Sequence, residues 1–369
     1  MNDFPLVLEL SILLLLTLAA LYVGYLGFVF LWYARGTRGT AYYGKTLAQR
    51  RRFKETFHRY SAPARPVCHL IGASLTNVFQ FRYQGVYFPM LRCSRATVRR
   101  AAQYRPQAND LFIASQMKCG TTWLQQLAYE VLSSGQGDLS DDGHVHLYAM
   151  SPWLESFNSV ALEEAPLIGA KETRIIKTHF PASLCPYSKQ AKYLYITRHP
   201  VSCFASTVDF TQALLGPLAP NTEALLRRFC SDRMWFGNWP QHVHGYWEWA
   251  QRQSNVLFLH FEDMKQDVAG IVRQVTEFLD CRLTEEEVSV IVQKCSFCYM
   301  KDHEESFEMS PPTLFSHRQT FFMSGSSRRH TQVNPSQSEQ ILDFCQAYLR
   351  GSTYPISRYL PEIRCSSPD

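Results

Sequence analysis

The sequence predicts an α/β protein: a three-layer α/β/α domain on a central parallel sheet, with one transmembrane helix added at the N-terminus. Three observations predict it. An uncharged apolar stretch runs from Leu10 to Tyr33. Short apolar segments alternate with segments of helical periodicity, the pattern of parallel strands covered by helices on both faces. Within residues 111–132, an apolar strand, a glycine-containing turn and a helix follow one another.

The apolar stretch 10–33 is long enough to cross roughly 30 Å of hydrocarbon as a helix. The alternative is a cleaved signal peptide. No Lys or Arg precedes the stretch, it exceeds the usual length of a signal core, and Trp32 and Tyr33 end it as interfacial aromatics do. We therefore expect a single-pass membrane protein that contacts the membrane through residues 10–33.

The charges beside this stretch predict its orientation. The N-terminal flank offers only Asp3 and Glu9, whereas basic residues crowd the other side. They are Arg35, Arg38, Lys45, Arg50, Arg51, Arg52 and Lys54. The positive-inside rule then predicts that the catalytic domain is cytoplasmic. The 11 irregularly spaced cysteines, an odd number, agree with a compartment that keeps thiols reduced.

Composition bounds the organisation of the chain. With 369 residues, 46% hydrophobic and 19% charged, it holds one large folded domain plus extensions. We expect an N-terminal anchor at 1–34, a basic membrane-proximal connector at 35–103 and a catalytic domain at 104–369. The formal charge of +5 is concentrated in the connector and suits anionic lipid headgroups. Nucleic acid is not expected as a partner, because the basic strip lacks interleaved stacking aromatics.

The catalytic domain contains four predicted strands, at 111–114, 174–177, 192–197 and 255–261. A predicted helix at 121–132 follows the first strand. Later, an apolar stripe at 268–279 predicts a helix, and Thr284 with Glu287 predicts the capping box of the next one. The segments 208–235 and 302–330 lack a clear period, so we interpret them as lids over a site.

The turn after the first strand is a candidate anion site. A helix that begins there directs its first free N–H groups and its positive dipole end at a ligand above the turn. Gly120 lets the backbone approach, Lys118 adds charge, Thr121 and Thr122 add hydroxyl donors, and Trp123 offers a face for stacking on a base. The alternative is an ordinary turn with a solvated Lys. A Walker A loop is excluded, because its Lys follows the second Gly.

Two further strand ends carry candidate residues. Lys177 and His179 lie two residues apart, so both point to one face, and the pKa of an unperturbed His suits proton removal from a hydroxyl. A lone His is often structural, but ligands of parallel sheets bind beyond the carboxyl ends of strands, where this one lies. Arg198 ends the next strand, and Ser206 follows on a helix that starts at Pro200. This pair suits a second phosphate, and a surface salt bridge is the alternative for Arg198.

Together these motifs resemble the cytosolic branch of the sulfotransferase superfamily over roughly residues 104–348. The family's Pro-Lys-Ser-Gly-Thr-Thr-Trp loop is similar to Met117–Trp123, and its Lys-Thr-His-Leu/Phe-Pro to Lys177–Pro181. Arg198 and Ser206 match an Arg followed eight residues later by Ser. Residues 256–267 resemble the strand ending in Tyr-Glu-Asp-Met-Lys, and 296–301 resemble Thr-Ser-Phe-x-x-Met-Lys.

The resemblance implies a P-loop NTPase-like sulfotransferase fold. It also implies 3′-phosphoadenosine 5′-phosphosulfate (PAPS) as donor and transfer of its sulfuryl group to a hydroxyl or amine. Catalysis would rest on His179 as general base with Lys118 and Lys177. The donor would be held by Lys118, Cys119, Gly120, Thr121, Thr122, Trp123, Arg198, Ser206, Ser296 and Phe297. No metal is implied, and Cys295-x-x-Cys298 lacks the second pair that a zinc site needs.

The chain also departs from the family pattern. Met117 and Cys119 replace Pro and Ser, and Phe261 stands where Tyr is frequent. The late Arg-Lys-Gly-x-x-Gly-Asp-Trp-Lys motif is poorly kept around 321–329. Gly325 would hold its turn, and Arg328 or Arg329 would supply its charge. No clean dimerisation motif is found, so the oligomeric state stays open.

Two other functions stay open at this point. A P-loop-type small-molecule kinase is disfavoured by the missing Walker A sequence and the missing magnesium-binding Asp pair. A catalytically silent, membrane-anchored nucleotide-binding protein is favoured only by the degenerate late motif. The acceptor cannot be identified from sequence, but the aromatic lids and the nearby span suit a small hydrophobic or lipid alcohol.

Overall fold

A computed structural model describes residues 4–72, 80–139, 146–308, 312–315, 322 and 333–362. At its centre lies a four-stranded parallel sheet with the order β4-β3-β5-β6, and a separate antiparallel hairpin pairs β1 with β2. The strands are β1 (Gln80–Tyr83), β2 (Val86–Pro89), β3 (Asp110–Ala114), β4 (Arg174–Thr178), β5 (Lys192–Thr197) and β6 (Val256–His260). The predicted parallel sheet is confirmed, and each predicted strand lies within a residue of its observed limits.

The helices of the N-terminal region are α1 (Phe4–Gly36), α2 (Thr40–Tyr43), α3 (Leu47–Ser61), α4 (Ala64–Ile71) and α5 (Arg95–Ala102). Those that follow β3 are α6 (Thr121–Leu132), α7 (Leu147–Met150), α8 (Pro200–Leu215), α9 (Thr222–Phe229), α10 (Trp239–Arg252), α11 (Phe261–Gln266), α12 (Val268–Phe278), α13 (Glu285–Lys294), α14 (Phe297–Asp302), α15 (Glu304–Phe307), α16 (Pro335–Leu349) and α17 (Ile356–Tyr359). The predicted capping box is present, since Thr284 and Glu287 exchange side-chain to backbone hydrogen bonds at the start of α13.

The three layers follow from the side-chain alternation of β3. All five residues of β3 are buried. Leu111 and Ile113 belong to one hydrophobic cluster, and Phe112 and Ala114 belong to the other. Because successive strand residues point to opposite faces, both faces of the sheet are covered. Helices α6, α12 and α13 pack on the first face, and α8, α10 and α16 pack on the second.

The order of the strands creates the place for a site. The chain passes from β3 to its neighbour β4 and then crosses to β5 on the other side of β3. Connections on the two sides of β3 therefore diverge, and a crevice opens beyond the carboxyl ends of these strands. The anion turn, the Lys177–His179 segment and Arg198 all lie at that edge.

Helix α1 matches the predicted span. Its side chains from Val7 to Leu21 are exposed, whereas Val29 is buried against the protein. By length and composition, α1 is a candidate membrane span.

The described residues of the segment 35–103 form helices α2 to α5 and the hairpin of β1 and β2. Tyr42, Tyr43, Phe88 and Val98 belong to the same hydrophobic cluster as the sheet residue Phe112. The packing is continuous across position 103, and the division of the chain into domains there stays a prediction.

Several of the basic residues that follow α1 contact protein. Arg50 is fully buried. Arg51 pairs with Glu305 at 2.7 Å, and Lys54 pairs with Glu308 at 2.6 Å. These three charges are therefore less available to lipid headgroups than the sequence suggested.

The expectation of aperiodic lids is wrong for part of segments 208–235 and 302–330. Residues 208–215 complete α8, and α9 follows after an Asn221 cap whose side chain accepts from the Ala224 N–H at 2.8 Å. Helix α9 is too short to display a clear period. It buries Leu225, Leu226 and Phe229, and this packing is enough to fix a two-turn helix on the core. Residues 309–311, 316–321 and 323–332 lie outside the described part of the chain.

Candidate active site

The turn between β3 and α6 has the backbone of an anion cradle. Lys118 and Gly120 adopt positive φ angles of 66° and 104°. The first intrahelical hydrogen bond runs from the Leu124 N–H to the Gly120 carbonyl at 3.1 Å. The preceding amides, from Thr121 to Trp123, thus lie outside the helical hydrogen-bond ladder at the positive end of the helix dipole.

Gly120 is the residue that this turn requires. A Cβ atom there would lie 2.8 Å from Cδ2 of Phe261 and 3.3 Å from Cδ1 of Ile196. The φ angle of 104° also belongs to the region that favours glycine. Phe261 therefore packs directly beneath the cradle.

Ser115, the residue that follows β3, links the cradle to β4. Its hydroxyl lies 2.5 Å from Oγ1 of Thr121. Its carbonyl oxygen lies 2.8 Å from Nδ1 of His179. Because a carbonyl oxygen only accepts, Nδ1 carries the hydrogen and Nε2 keeps the lone pair.

His179 is 2% exposed and is fixed from three sides. Its backbone N–H donates to the buried Glu155 carboxylate at 2.6 Å. Its ring packs edge-on against Trp153 at 5.1 Å and tilted against Phe236 at 5.3 Å between centroids. Within the described residues, no hydrogen bond reaches Nε2.

Burial and then the neighbouring Lys177 charge hold the pKa of His179 well below its usual value. The imidazole is therefore neutral at neutral pH, and its Nε2 atom is able to accept a proton.

Lys177 is completely buried in an aromatic pocket. Its Nζ atom donates to the Tyr148 hydroxyl at 3.0 Å and lies 3.9 Å from the centroid of Trp153. Burial lowers its pKa well below the usual range, and the Glu155 carboxylate opposes that shift. An anion in this pocket would restore the charge of Lys177, since an opposite charge stabilises the ammonium form.

Lys118 belongs to the same cluster. Its Nζ atom lies 4.3 Å from the centroid of Phe210 on α8. Its positive charge contributes to lowering the pKa of both Lys177 and His179. The structure thus brings the three predicted catalytic residues into one electrostatic environment at the carboxyl edge of the sheet.

Arg198 and Ser206 lie at the other side of the cradle, and both are buried. The Arg198 guanidinium lies 4.5 Å from the centroid of Phe261, so the same ring supports Gly120 and Arg198. Pro200 is the first residue of α8, as predicted, and the helix carries Ser206 in its second turn. The Phe that replaces Tyr at position 261 forms the apolar floor between the two candidate phosphate positions.

Trp123 connects the cradle to the segment that contains Ser296 and Phe297. Its Nε1–H donates to the Cys295 carbonyl at 2.7 Å. Ser296 caps α14 by accepting from the Tyr299 N–H, and the Phe297 ring is 38% exposed. The Trp123 ring therefore lies beside the segment that leads into Phe297, and the Phe297 ring is accessible to a ligand.

The Cys119 side chain points into the core. It is fully buried, and its Sγ atom lies 3.6 Å from Sγ of Cys203 on α8. Burial, followed by this contact, raises the pKa of the Cys119 thiol well above its usual value. The Cys119 thiol is therefore turned to the core, and the group that Cys119 offers to a ligand in the crevice is its backbone amide.

Gly325, Arg328 and Arg329 lie outside the described residues. Among the residues that the structure describes, no group of three or more His, Cys, Asp or Glu side chains is arranged to hold a metal ion. Cys295 is buried while Cys298 is exposed, so the two thiols of the Cys-x-x-Cys motif have different surroundings.

Sequence reasoning missed three residues of this site. Glu155 accepts from the Thr178 hydroxyl at 2.9 Å as well as from the backbone of His179. The backbone of Trp153 pairs with that of Lys177 in an isolated β-bridge. Phe236 covers the other side of the His179 ring. These three residues come from loops without periodicity, so no local pattern identified them. Ser115, which also contacts His179, directly follows an apolar strand, and that position was a local signal.

The sequence of the chain matches a known family and known proteins. Residues 108–353 match the family model of the Sulfotransferase domain. The chain is 30% identical to mouse Sulfotransferase 2B1 over 269 residues, which cover 70% of this chain and 77% of that protein. It is 32% identical to mouse Sulfotransferase 1A1 over 232 residues, which cover 61% of this chain and 78% of that protein.

Solved structures show the same fold. The crystal structure of mouse sulfotransferase SULT7A1 complexed with PAP superposes with a TM-score of 0.59 at 22% identity, covering 77% of this chain and 98% of that one. Retinol dehydratase, solved with androsterone and the inactive cofactor PAP, superposes with a TM-score of 0.60 at 17% identity, covering 79% of this chain and 96% of that one.

Proposed function

The chain belongs to the sulfotransferase domain family, and from this premise we propose that it transfers the sulfuryl group of PAPS to a hydroxyl group, with His179 as the general base. The sulfotransferase relatives support the reaction class, and the PAP-bound structural relatives support PAPS as donor. The observation that carries the residue roles is the Ser115–His179 contact. It joins the anion cradle to an imidazole whose Nε2 bears the lone pair.

The donor occupies the crevice along the carboxyl edge of the sheet in this proposal. The amides of Gly120, Thr121 and Thr122 and the Lys118 ammonium hold the 5′-phosphate. The side-chain hydroxyls of Thr121 and Thr122 add further hydrogen-bond donors. The position of these groups at the start of α6 supports this role, because amides and dipole act together on an anion there.

The rest of the nucleotide extends to both sides of the cradle. Arg198 and Ser206 hold the 3′-phosphate, and Trp123 and Phe297 hold the adenine between their rings, with Ser296 beside them. The exposed ring of Phe297 and the hydrogen bond from Trp123 to Cys295 support this arrangement. Gly325 and Arg328 or Arg329 remain candidates for completing the 3′-phosphate subsite.

The chemical step is an in-line displacement at sulfur. The acceptor oxygen forms a bond to sulfur while the bond from sulfur to the 5′-phosphate oxygen breaks. The acceptor proton passes to Nε2 of His179, and the bisphosphate leaves with the electron pair of the broken bond. Lys118 and Lys177 stabilise the negative charge that grows on the bridging and peripheral oxygens, since fixed cations in a dry pocket act strongly.

A hydrophobic alcohol is the acceptor class that we propose. The His179 ring packs against the rings of Trp153 and Phe236, which form an apolar wall, and Trp153 also contacts the Nζ atom of Lys177. Retinol dehydratase has been solved with androsterone and with retinol, both of them apolar alcohols. Such a wall favours a substrate with one hydroxyl on a large apolar body.

We also propose that α1 anchors the enzyme and that the catalytic domain faces the cytoplasm. The basic residues after α1 and their absence before it support this orientation. Protease treatment of sealed, right-side-out vesicles tests it with a C-terminal tag. Protection of the tag is expected, and cleavage from outside would refute the orientation.

The catalytic roles are tested by replacing Lys118 or His179 with Ala and measuring transfer of labelled sulfate from PAPS. Lys189→Ala and His244→Ala are matched controls, because Lys189 is exposed before the amino end of β5 and His244 lies 3.1 Å from the Ser352 hydroxyl. We expect the site variants to lose transfer by orders of magnitude while unfolding at the temperature of the controls.

Thermal-shift measurements with PAP, and with ATP for comparison, separate the role of Lys118 in donor binding from the role of His179 in proton transfer. His179→Ala should keep PAP affinity, whereas Lys118→Ala should lose part of it. Near-normal turnover in both variants would refute the assigned roles. Stabilisation by ATP but not by PAP would instead favour the kinase alternative.

A further inference from the structure

Helix α1 has two parts with different surroundings. The four consecutive residues Leu13 to Leu16 are all exposed, and consecutive residues point around the whole circumference of a helix. Residues 7–21 therefore have no protein cover on any side. From Tyr22 onward, one side of α1 is covered by α3.

Helix α3 runs antiparallel to α1 and returns the chain toward the bare segment. The Trp32 ring stacks on Phe53 at 4.7 Å between centroids. The hydroxyl of Tyr25 donates to the Tyr60 carbonyl at 2.8 Å. Farther along, the hydroxyl of Tyr22 donates to the Pro63 carbonyl at 2.7 Å. The chain has thus travelled back to the level of Tyr22, roughly 21 Å along α1 from Gly36.

Helix α4 (Ala64–Ile71) begins at this level, and its far end exposes apolar side chains. Leu70 is 87% exposed, more than any other large hydrophobic residue in the described part of the chain, and Ile71 next to it is also exposed. Moving such a side chain from water into hydrocarbon is favourable, because it removes apolar surface from water. The proximity of α4 to the bare segment of α1 identifies a bilayer as the apolar phase that these side chains meet.

Helix α4 also contacts the segment that follows α8, the helix that borders the candidate active site where Phe210 meets Lys118. It packs against residues 216–218, which follow α8 directly. His69 packs edge-on against Phe315 at 6.2 Å, and Phe315 lies over Gly216. Phe210, whose ring contacts Lys118, precedes Gly216 on α8 by roughly 9 Å along the helix axis.

We propose that α4 lies in the membrane interface and places the end of α8, and with it the edge of the active site at Phe210 and Lys118, at the bilayer surface, so that the acceptor is an alcohol dissolved in the lipid. The assignment of the acceptor rests on the proposed function. The contact of α4 with lipid rests on the proposed membrane anchor α1 and on the packing of α3 and the start of α4 along it.

Photo-cross-linking of the full-length protein in vesicles of phosphatidylcholine with some phosphatidylserine tests the lipid contact. The variants are Leu70→p-benzoylphenylalanine, Leu16→p-benzoylphenylalanine on the bare segment of α1, and Leu167→p-benzoylphenylalanine as an exposed apolar control. Each should unfold in detergent at the temperature of the unmodified protein. We expect adducts with labelled phospholipid at positions 16 and 70 and only background at position 167.

A second readout measures how close the end of α8 lies to the bilayer. A fluorescent amino acid is placed at Gln212, which is exposed in the last turns of α8, or at Gln190, which is exposed just before β5 at the opposite edge of the sheet. Phosphatidylcholine with a headgroup nitroxide should quench the probe at position 212 several-fold more strongly than the probe at position 190.

Background labelling at position 70, equal quenching at the two glutamines, or an adduct of position 70 with a second polypeptide would each overturn the proposal. Transfer of sulfate from PAPS is measured on the same vesicles with a sterol and with 4-nitrophenol as acceptor probes. Lipid adducts at position 70 without any transfer would overturn the proposed function and the acceptor assignment. Transfer without lipid adducts would overturn the membrane contact alone.

Discussion

Replacement of Gly120 by Ala tests the steric argument for the anion cradle. The change has two separable costs. A residue with a Cβ atom at a φ of 104° is strained by about 1 to 2 kcal/mol. The Cβ atom would also lie 2.8 Å from Cδ2 of Phe261, and overpacking of this kind costs about 1 to 3 kcal/mol. We expect Gly120→Ala to lower the free energy of unfolding by roughly 2 to 5 kcal/mol.

Gly85 provides a matched control for the first cost. It has a φ of 87° in the turn between β1 and β2, and nothing lies within 4 Å of the position of its Cβ atom. Gly85→Ala should therefore show the backbone strain alone, about 1 to 2 kcal/mol. Phe261→Leu combined with Gly120→Ala should recover the steric part, and the single Phe261→Leu variant completes the cycle.

Urea unfolding of the detergent-solubilised protein measures these differences, and the thermal shift caused by PAP reports on the cradle. Gly120→Ala should weaken PAP binding, whereas Gly85→Ala should leave it unchanged. The reasoning is refuted if the two glycine variants lose equal stability, or if the Gly120 variant binds PAP as tightly as the unmodified protein.

Two further predictions concern the supports of His179. Burial lowers the pKa of His242 to about 4 from 6.5, and its Nε2–H donates to the His179 carbonyl at 3.0 Å. Because the unfolded chain binds this proton more tightly, the contribution is complete above pH 6.5 and is lost as the pH falls to about 4. The loss amounts to roughly 3 kcal/mol. In His242→Gln, which does not titrate, unfolding in urea across this range should depend less on pH, and parallel curves would contradict the assignment. Glu155→Ala leaves the His179 N–H and the Thr178 hydroxyl without their acceptor, so it should cost about 2 to 6 kcal/mol at about 1 to 3 kcal/mol per buried group. Glu155→Gln keeps one acceptor oxygen and should cost less, and equal unfolding midpoints for the two variants would show that these contacts contribute little.

Local chemistry explains why much of the fold was predictable. Strand β3 and helix α6 were recognised because one apolar run, one glycine and one helical stripe follow each other without interruption. The capping box of α13 was recognised for the same reason, since its two partners are three residues apart. The interpretation of segments 208–235 and 302–330 as aperiodic lids was partly wrong, because a helix as short as α9 has too few turns to display a period.

The sequence by itself determined the parallel α/β class, the apolar helix at the N-terminus and the strand ends that carry Lys118, Lys177, His179 and Arg198, because each is encoded by neighbouring residues. Only the tertiary structure decided what surrounds them. The Glu155 carboxylate beneath His179, the Phe261 ring beneath Gly120 and the return of α3 along α1 join residues far apart in the chain. Such contacts depend on how whole layers pack, and no local pattern of side chains specifies them.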